Sequence, residues 1–577
     1  MNRKCCIALL LLFCSIDFIL MAQEKNVELC ILQTSDVHGC FFPYDYINRK
    51  PANGSMARIS GYVNSMRDKY GDKVILLDNG DILQGQPTCY YCNYINPDMP
   101  NVAAEIINYI GYDAETIGNH DIETGHPVYD KWVKEVECPI LGANVIDTQT
   151  GKPYFIPYKI FVRENIRIAV IGLTTPAIPN WLDKELWDGM HFDDMTESAR
   201  QWVEYVKKHE HPDVIIGLFH SGLDGGIETS QYKENAVSRI ASDVPGFDLI
   251  LYGHDHHEAK HCVKNINGDY VLCLNPSSDA HMVSQAMIKV ALENGRVVDK
   301  DITGQICNID EFPVDKNFLS HFSHQMDSVA SFVNKRIGFF ENSIHTRDAY
   351  FGSSAFCDFI HNIQLKTTGA DISFNAPLAF DASIKAGNVH ISDMFNLYKY
   401  ENQIYVLLMT GKEIHDYLEM SYALWTNTMV SPDDHIMLLK EDVNGNYSFK
   451  NLAFNFDSAA GIDYIVDVSK PKGHKVKIQK MTNGMPFDES KWYKVAMNSY
   501  RGNGGGELLT KGAGICHDSL KSRIIYTSPR DQRYYLIEEI KSQDILSPVP
   551  NNNWHFEPLE WAQPAIVRDK KLLFEKQ

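Results

Sequence analysis

At 577 residues the chain exceeds what a single hydrophobic core organises, so two domains or more are expected. Its composition, 44% hydrophobic and 22% charged, is that of a globular protein and speaks against collagenous, disordered or repeat architectures. A net charge of −20 argues against nucleic acid polymers and anionic membranes as partners, but not against a small phosphate ester, because bound metal ions reverse the local field.

Met1–Ala22 reads as a secretory signal, with Arg3 and Lys4 ahead of the apolar run Cys5–Leu20. Asp17 interrupts that run, and Leu20 is large for the third position before a cut after Ala22. A lipoprotein cut before Cys14 is the weaker reading, since bulky Phe13 precedes it. No later segment has the length and apolarity of a membrane span, so an exported protein, periplasmic or secreted, is expected. Ten cysteines follow residue 22, and only Cys89 and Cys92 show C-x-x-C spacing. Without a second pair, scattered buried thiols with one or two disulfides are expected.

Residues 27–305 alternate strand and helix. Met56–Tyr70 should stop at Gly71, Asn101–Ile110 follows Pro100 and should stop at Gly111, and Met195–Lys208 carries Ala199, Trp202, Val203 and Val206 on one face. This alternation predicts a layered α/β domain. From Phe312 to Ile337, apolar residues recur every three to four positions, which predicts one long connecting helix over 312–337. A second domain is expected over 340–550, with helices at Ser353–Thr367 and Gly411–Tyr422 and strands at Ile404–Met409 and Asp463–Val468. The tail, 551–577, is expected as surface coil held by Trp554 and Trp561.

Five apolar strands in the first domain each run into Asp, Asn or His. Val27–Leu32 leads to Asp36 and His38, Val74–Leu77 to Asp81, and Ala114–Ile117 to Asn119 and His120. Val214–Phe219 ends at His220, and Leu249–Tyr252 leads to His254 and His256. Side chains at the carboxyl ends of neighbouring strands meet in one crevice. Oxygen and nitrogen donors there, with no thiolate, describe a metal site, and they are too many for one ion. A two-metal hydrolase holds its ions about 3.5–4 Å apart and needs an anionic oxygen that reaches both, which suits Asp81. Imidazole suits Zn, Mn or Fe, and carboxylate and amide suit harder ions. His257 and His261 have no place in the pattern. Asp78 is read as capping or orienting the Asp81 loop.

These motifs, in this order, resemble the calcineurin-like metallophosphoesterases. Thr34–Gly39 and Asp78–Gly85 are similar to the nucleotidase branch, and Leu397–Asn402, Leu418–Ser421, Ala460–Tyr464 and Asn498–Gly506 resemble the nucleotidase C-terminal domain. The resemblance implies an α/β (α+β) fold. A four-layer β-sandwich flanked by helices would be joined by a long helix to a C-terminal α/β domain that binds substrate. It implies two divalent metal ions (Mn, Zn, Fe or mixed). Asp36, His38 and His256 would hold one, Asn119, His220 and His254 the other, and Asp81 would bridge. His120 would stabilise charge on the phosphoryl group or protonate the leaving oxygen. Glu123, where the family more often has Asp, would orient His120 or be an ordinary surface carboxylate. Asp121 also departs from the commoner Glu.

In the second domain the resemblance implies a nucleobase held between two aromatic rings. Tyr500 matches one; the other comes from Phe454 or Phe456, with Phe456 slightly favoured. The alternative is that these are core aromatics. Gly502 and Gly504–Gly506 would let the backbone approach the ligand, and Arg501 would meet phosphate or solvent. Typical 5′-nucleotidases carry an Asn-Gly-Gly-x-x-Arg segment where this chain has Phe374-Asn375-Ala376-Pro377-Leu378, without arginine. That favours the 2′,3′-cyclic-nucleotide 2′-phosphodiesterase/3′-nucleotidase type. The expected partner is a small nucleotide, for catabolism and salvage. The rivals are a 5′-nucleotidase, a nucleotide-sugar diphosphatase, and a non-catalytic nucleotide-binding surface protein.

Overall fold

The computed structural model describes residues 24–442 and 445–575. The expected signal at Met1–Ala22, including Cys14, lies outside the described residues. Two six-stranded sheets form the first domain. One is ordered Arg296–Asn308, Met282–Glu293, Glu24–Thr34, Val74–Asp78, Ala114–Thr116, Ile140–Leu141. The other is ordered Glu258–Lys264, Tyr270–Pro276, Leu249–Gly253, Val214–His220, Ile166–Thr174, Tyr158–Arg163.

The pleat explains the layering. In Glu24–Thr34, Val27, Leu29 and Ile31 enter the core between the sheets, where they meet Ile168, Val170, Ile216, Leu218 and Leu251. Cys30 and Leu32, on the opposite face, pack under the helices Met56–Tyr70 and Val102–Ile110. Strands buried on both faces read as near-continuous apolar runs, as this chain's do. The helices Met195–His209 and Val237–Asp243 cover the other sheet. Each fully buried aliphatic side chain contributes roughly 1.5–3 kcal/mol. Helix ends follow local chemistry. Ser55 Oγ accepts from the Arg58 N–H and Asn101 caps the next helix, while Gly71 and Gly111 close the two helices with positive φ.

The connector departs from the expected single helix over 312–337. It is two short helices, Lys316–His321 and Ser323–Val333, meeting at Phe322. The apolar spacing is sound: Phe318, Phe322, Val329 and Val333 are all buried against the first domain. Phe322 wedges its ring between Phe42 and Tyr109, and the helix breaks there.

The second domain is built on a five-stranded sheet, ordered Ser458–Ala460, Ile372–Asn375, Trp492–Asn498, Gln403–Thr410, Ile524–Asp531. The helices Ala355–Thr368 and Gly411–Trp425 form close to where the sequence predicts them. The tail corrects the expectation of surface coil. Trp554–Glu557 is a strand parallel to Ile462–Asp467, and Leu559–Phe574 is a helix. Trp554 is buried, and Asp569 is buried where its carboxylate accepts from the Met437 N–H and faces His435 Nδ1 at 2.6 Å. The expected disulfides are absent among the described residues, where all ten cysteines are free thiols. No described helix is long and apolar enough to cross a membrane.

Candidate active site

The five strand ends deliver their polar residues to one crevice, where the carboxyl edges of the two sheets meet. Asp36, His38 and His256 form one group able to hold an ion; Asp81, His220 and His254 form a second. The donors of each group lie within 4.8 Å of one another.

The hydrogen bonds behind the imidazoles fix what they present. His220 Nδ1 lies 2.7 Å from the Asn79 carbonyl and so donates there. A neutral His220 therefore turns the Nε2 lone pair toward Asp81 Oδ2, 3.2 Å away, and Asn119 Oδ1, 3.0 Å away. His38 Nδ1 lies 3.2 Å from the Gln84 carbonyl, and its Nε2 sits 2.9 Å from His256 Nε2. His254 Nε2 faces Glu234 Oε1 at 3.4 Å, which leaves its buried Nδ1 without a partner. Asp36 Oδ1 and Asp81 Oδ2 are likewise buried with no hydrogen-bond donor. Lone pairs converging in the protein interior repel unless a cation or a proton lies between them, and ring nitrogens backed by carbonyl or carboxylate are the usual arrangement behind a metal. The residues present therefore fit two divalent ions.

The electrostatics agree. Burial works against the charged form of Asp81, but His220 and His120 outweigh it and hold the carboxyl well below its ordinary range. Burial would depress His220, yet Asp81 beside it carries it up to about 10. Burial brings His38 down to about 4. The proton Asp81 draws onto His220 is one that a cation displaces.

The backbone is strained at these residues. Asp36, His38, Asp81 and His256 have φ of 51°, 49°, 59° and 57°, in the left-handed region. Each costs about 1–2 kcal/mol outside glycine, and such strain gathers where function over-determines the geometry. Two anchors hold it. Asp78 Oδ1 accepts from the Gly80 N–H at 2.9 Å, the orienting role read from sequence. The Asp121 carboxylate accepts from the N–H groups of Gly118, Asp81, Ile82 and Leu83 at 2.8–3.0 Å. Sequence reasoning passed over this role of Asp121. The signal was an acidic residue three positions after Gly118, the capping spacing of a helix start.

His120 follows Asn119 on the short helix Asn119–Glu123. Its backbone N–H donates to Asp81 Oδ1 at 2.8 Å, and its Nδ1 lies 2.6 Å from Glu123 Oε2. Burial opposes charge on this ring, but Asp81 and Glu123 raise it to about 9. Glu123 is thus engaged with His120, not an ordinary surface carboxylate. His257 and His261 are exposed and outside both groups.

In the second domain the favoured aromatic is corrected. Phe456 is only 1% exposed and stacks flat on Trp425, with centroids 5.5 Å apart and planes 2° apart, so its faces are taken by the core. Phe454, partly exposed, is the ring beside Tyr500: their centroids are 6.4 Å apart and the planes nearly perpendicular at 83°. Arg501 meets neither phosphate nor solvent. It is buried, its Nη2 donates to Asp457 Oδ1 (3.0 Å) and the Phe454 carbonyl (2.8 Å), and its Nη1 donates to Asn455 Oδ1 (3.1 Å). It ties the Phe454 turn to the Tyr500 turn. The glycines serve packing within the chain: a Cβ on Gly505 would lie 2.5 Å from the Tyr500 ring, and one on Gly502 2.6 Å from Tyr405.

The two domains meet at the crevice. Trp181 lies over the His254 ring at 5.8 Å, and its carbonyl accepts from Asn503 Nδ2 at 3.3 Å. Tyr405 Oη donates to Asp183 Oδ2 at 2.7 Å.

Comparison with known proteins accords with this architecture. Residues 30–258 match the calcineurin-like phosphoesterase family, and residues 336–511 match the 5′-nucleotidase C-terminal domain. The chain is 25% identical to a 2′,3′-cyclic-nucleotide 2′-phosphodiesterase/3′-nucleotidase of Yersinia enterocolitica, over 95% of this chain and 91% of that one. It is 27% identical to the trifunctional nucleotide phosphoesterase protein YfkN of Bacillus subtilis, covering 93% of this chain but 39% of that protein's length. Among solved structures, a 5′-nucleotidase precursor from Thermus thermophilus shares the fold, with a TM-score of 0.63 and 19% identity over 92% of this chain and 99% of that one. The chain belongs to the calcineurin-like phosphoesterases that carry a 5′-nucleotidase C-terminal domain, hydrolases of phosphoester bonds.

Proposed function

We propose that the chain is an exported nucleotide phosphohydrolase of the 2′,3′-cyclic-nucleotide 2′-phosphodiesterase/3′-nucleotidase type. In this reading a catalytic unit spans 27–305, and a substrate-binding unit starts at 340 and includes, beyond the expected boundary at 550, the tail strand and helix that pack into its core. Asp36, His38 and His256 would hold one divalent ion and Asn119, His220 and His254 the other, with Asp81 placed to serve both. Ions in such a site stabilise the attacking and leaving oxygens of an in-line displacement at phosphorus. The rest is the work of this chain. Asp121 and Gly118 hold Asp81 in place. Glu123 accepts from His120 Nδ1, fixing the ring so that Nε2 gives its proton to the departing oxygen. Phe454 and Tyr500 offer a face and an edge to a base, a contact that tolerates any base because each has a π-face.

The observation that carries the catalytic reading is the convergence of undonated carboxylate oxygens and imidazole lone pairs at one crevice beside His120. The preference for cyclic and 3′ substrates rests on the segment Phe374–Leu378. It closes the strand Ile372–Asn375, buries Asn375 and Ala376, and offers no arginine. The Yersinia relative bears that activity in its name. Export rests on the basic-then-apolar pattern of Met1–Ala22, and N-terminal sequencing of the protein from its source tests it.

The functional test is phosphate release from 5′-AMP, 3′-AMP and 2′,3′-cyclic AMP, with and without added Mn²⁺ or Zn²⁺. Faster turnover of 3′-AMP and conversion of the cyclic ester, both dependent on metal, are expected. Turnover of 5′-AMP alone would overturn the subtype, and no turnover of any with full metal loading would favour a binding protein.

A further inference from the structure

Three polar side chains stand in register across neighbouring strands of the first sheet: Thr34 pairs with Asp78, and Asp78 with Glu115. All three are buried. Strand alternation puts Thr34 and Asp78 on the face of Leu32 and Leu76, under the helices. Asp78 is well supplied with donors. The Thr34 hydroxyl donates to Oδ2, with the Tyr112 hydroxyl 2.9 Å behind it, and the Gly80 N–H donates to Oδ1 at 2.9 Å. Glu115 has no donor at either of its buried oxygens, and its carboxyl meets the carboxyl of Asp78.

Among the described residues, the titratable groups that face this pair are Asp36, Asp121 from the helix Asn119–Glu123, Tyr112 ahead of Ala114–Thr116, and Cys138 ahead of Ile140–Leu141. None of them is a cation. Arg67, whose charge reaches Tyr112, spends its guanidinium on the carbonyls of Ile110 and Gly111. Two bare carboxylates in contact in the interior repel strongly, and one proton between them turns the contact into a hydrogen bond. The two donors on Asp78 favour its anion, so the proton belongs to Glu115. The electrostatics agree. Burial, with Asp78 and Asp121 beside it, lifts Glu115 well above the ordinary 4.5, and burial lifts Asp78 to about 7. Asp78 is one step from the crevice: the Gly80 that it holds accepts from the Asp36 N–H at 3.0 Å, and the next residue is Asp81. One peptide thus ties Asp78 to both candidate ion groups.

We propose that Glu115 is kept as the neutral acid, donating its proton to Asp78, and that it is a positioning residue for the turn that carries Asp81. A neutral donor steadies Asp78 without adding another anion beside Asp36, Asp81 and Asp121. The positioning role rests on the reading of the crevice as a two-ion phosphohydrolase; the protonation of Glu115 does not.

The test uses the full chain loaded with Mn²⁺, as wild type, Glu115→Gln, which keeps a neutral donor, and Glu115→Met, which has the length but no donor. At pH 8 the infrared spectrum of the wild type should show the C=O stretch of a protonated carboxylic acid that Glu115→Gln lacks. Below about pH 4.5, the ordinary value for this group, Glu115 is protonated in the folded and the unfolded chain alike. Above it the unfolded chain releases a proton that the folded chain keeps. The folding equilibrium of Glu115→Gln should therefore gain on the wild type by up to tenfold per pH unit, until the pair itself ionises. Glu115→Met should bind Mn²⁺ about tenfold or more weaker, with a matching fall in kcat/KM for p-nitrophenyl phosphate, and Glu115→Gln should recover most of both. No difference band, with a stability gap that does not change with pH, overturns the neutral acid. Wild-type affinity for Mn²⁺ in Glu115→Met overturns the positioning role. A metal-loaded wild type that hydrolyses no phosphate ester would remove the phosphohydrolase reading, and the positioning role with it, while the infrared and unfolding results would still decide the protonation of Glu115.

Discussion

A β-carbon on Gly118 would lie 2.1 Å from Oδ1 of Asp81 and 2.5 Å from its backbone nitrogen. The glycine lets the Asp81 carboxylate sit against the start of the helix Asn119–Glu123, where His120 N–H donates to it. Gly118→Ala should push Asp81 out of place. Misplacement by about an ångström costs on the order of a hundredfold in rate, so kcat/KM should fall by about that much. Bound metal per chain, read by elemental analysis, should fall with it, while circular dichroism stays that of the folded protein.

Glu123 contacts no ion group and acts through His120. Glu123→Gln keeps the shape but removes the charge that holds the ring and favours its proton. We expect kcat for 3′-AMP to drop by about tenfold or more, part of what a positioned general acid contributes. Metal content should stay at the wild-type value. The loss should be smaller for p-nitrophenyl phosphate, whose leaving group departs without a proton; an equal loss would mean that Glu123 supports only the fold of the helix.

Phe454 and Phe456 separate recognition from packing. Phe454→Ala should weaken nucleotide binding by about 1–3 kcal/mol, the usual worth of base stacking, with little change in melting temperature. Phe456→Ala should do the reverse, costing roughly 3–5 kcal/mol of stability as a large ring leaves a well-packed core. Isothermal titration with a non-hydrolysable nucleotide and thermal denaturation read the two effects. An exchange of the two outcomes would restore Phe456 as the stacking ring.

His361 supplies a pH dependence outside the two candidate ion groups. Its Nδ1 lies 2.8 Å from Ser373 Oγ and its Nε2 3.2 Å from Ser458 Oγ. Ser373 spends its own proton on Gln364, so Nδ1–H donates and the buried ring is neutral. Burial carries its pKa from the ordinary 6.5 down to about 3. The unfolded chain therefore binds the extra proton first as pH falls, and stability is lost from about pH 6.5 down toward 3. His361→Asn should flatten the fall of melting temperature over that window. A parallel fall in both proteins would assign acid sensitivity to other groups.

The residues of the two candidate ion groups could be singled out in the sequence because donors for an ion are restricted in residue type and strand ends restrict their position. Asp, His and Asn after apolar runs at five places form a pattern that chance and packing rarely produce. Glycine-bounded helices were legible for a similar reason: Gly71 and Gly111 act through their own backbone, and no distant partner decides the matter. Asp121 was harder to read, since its role appears only when the Asp81 loop folds back onto the helix start.

Chemistry carried by a residue's own atoms was thus written into the chain order: the layered first domain, the donor set of the crevice, the two-domain plan. The tertiary structure alone decided which ring of Phe454 and Phe456 is free, because Trp425, some thirty positions away, covers one of them. It also decided that the connector breaks at Phe322 and that the tail adds a strand and a helix. Each of these depends on the surface a segment meets after folding, and burial is a property of that pair of surfaces, not of either sequence segment.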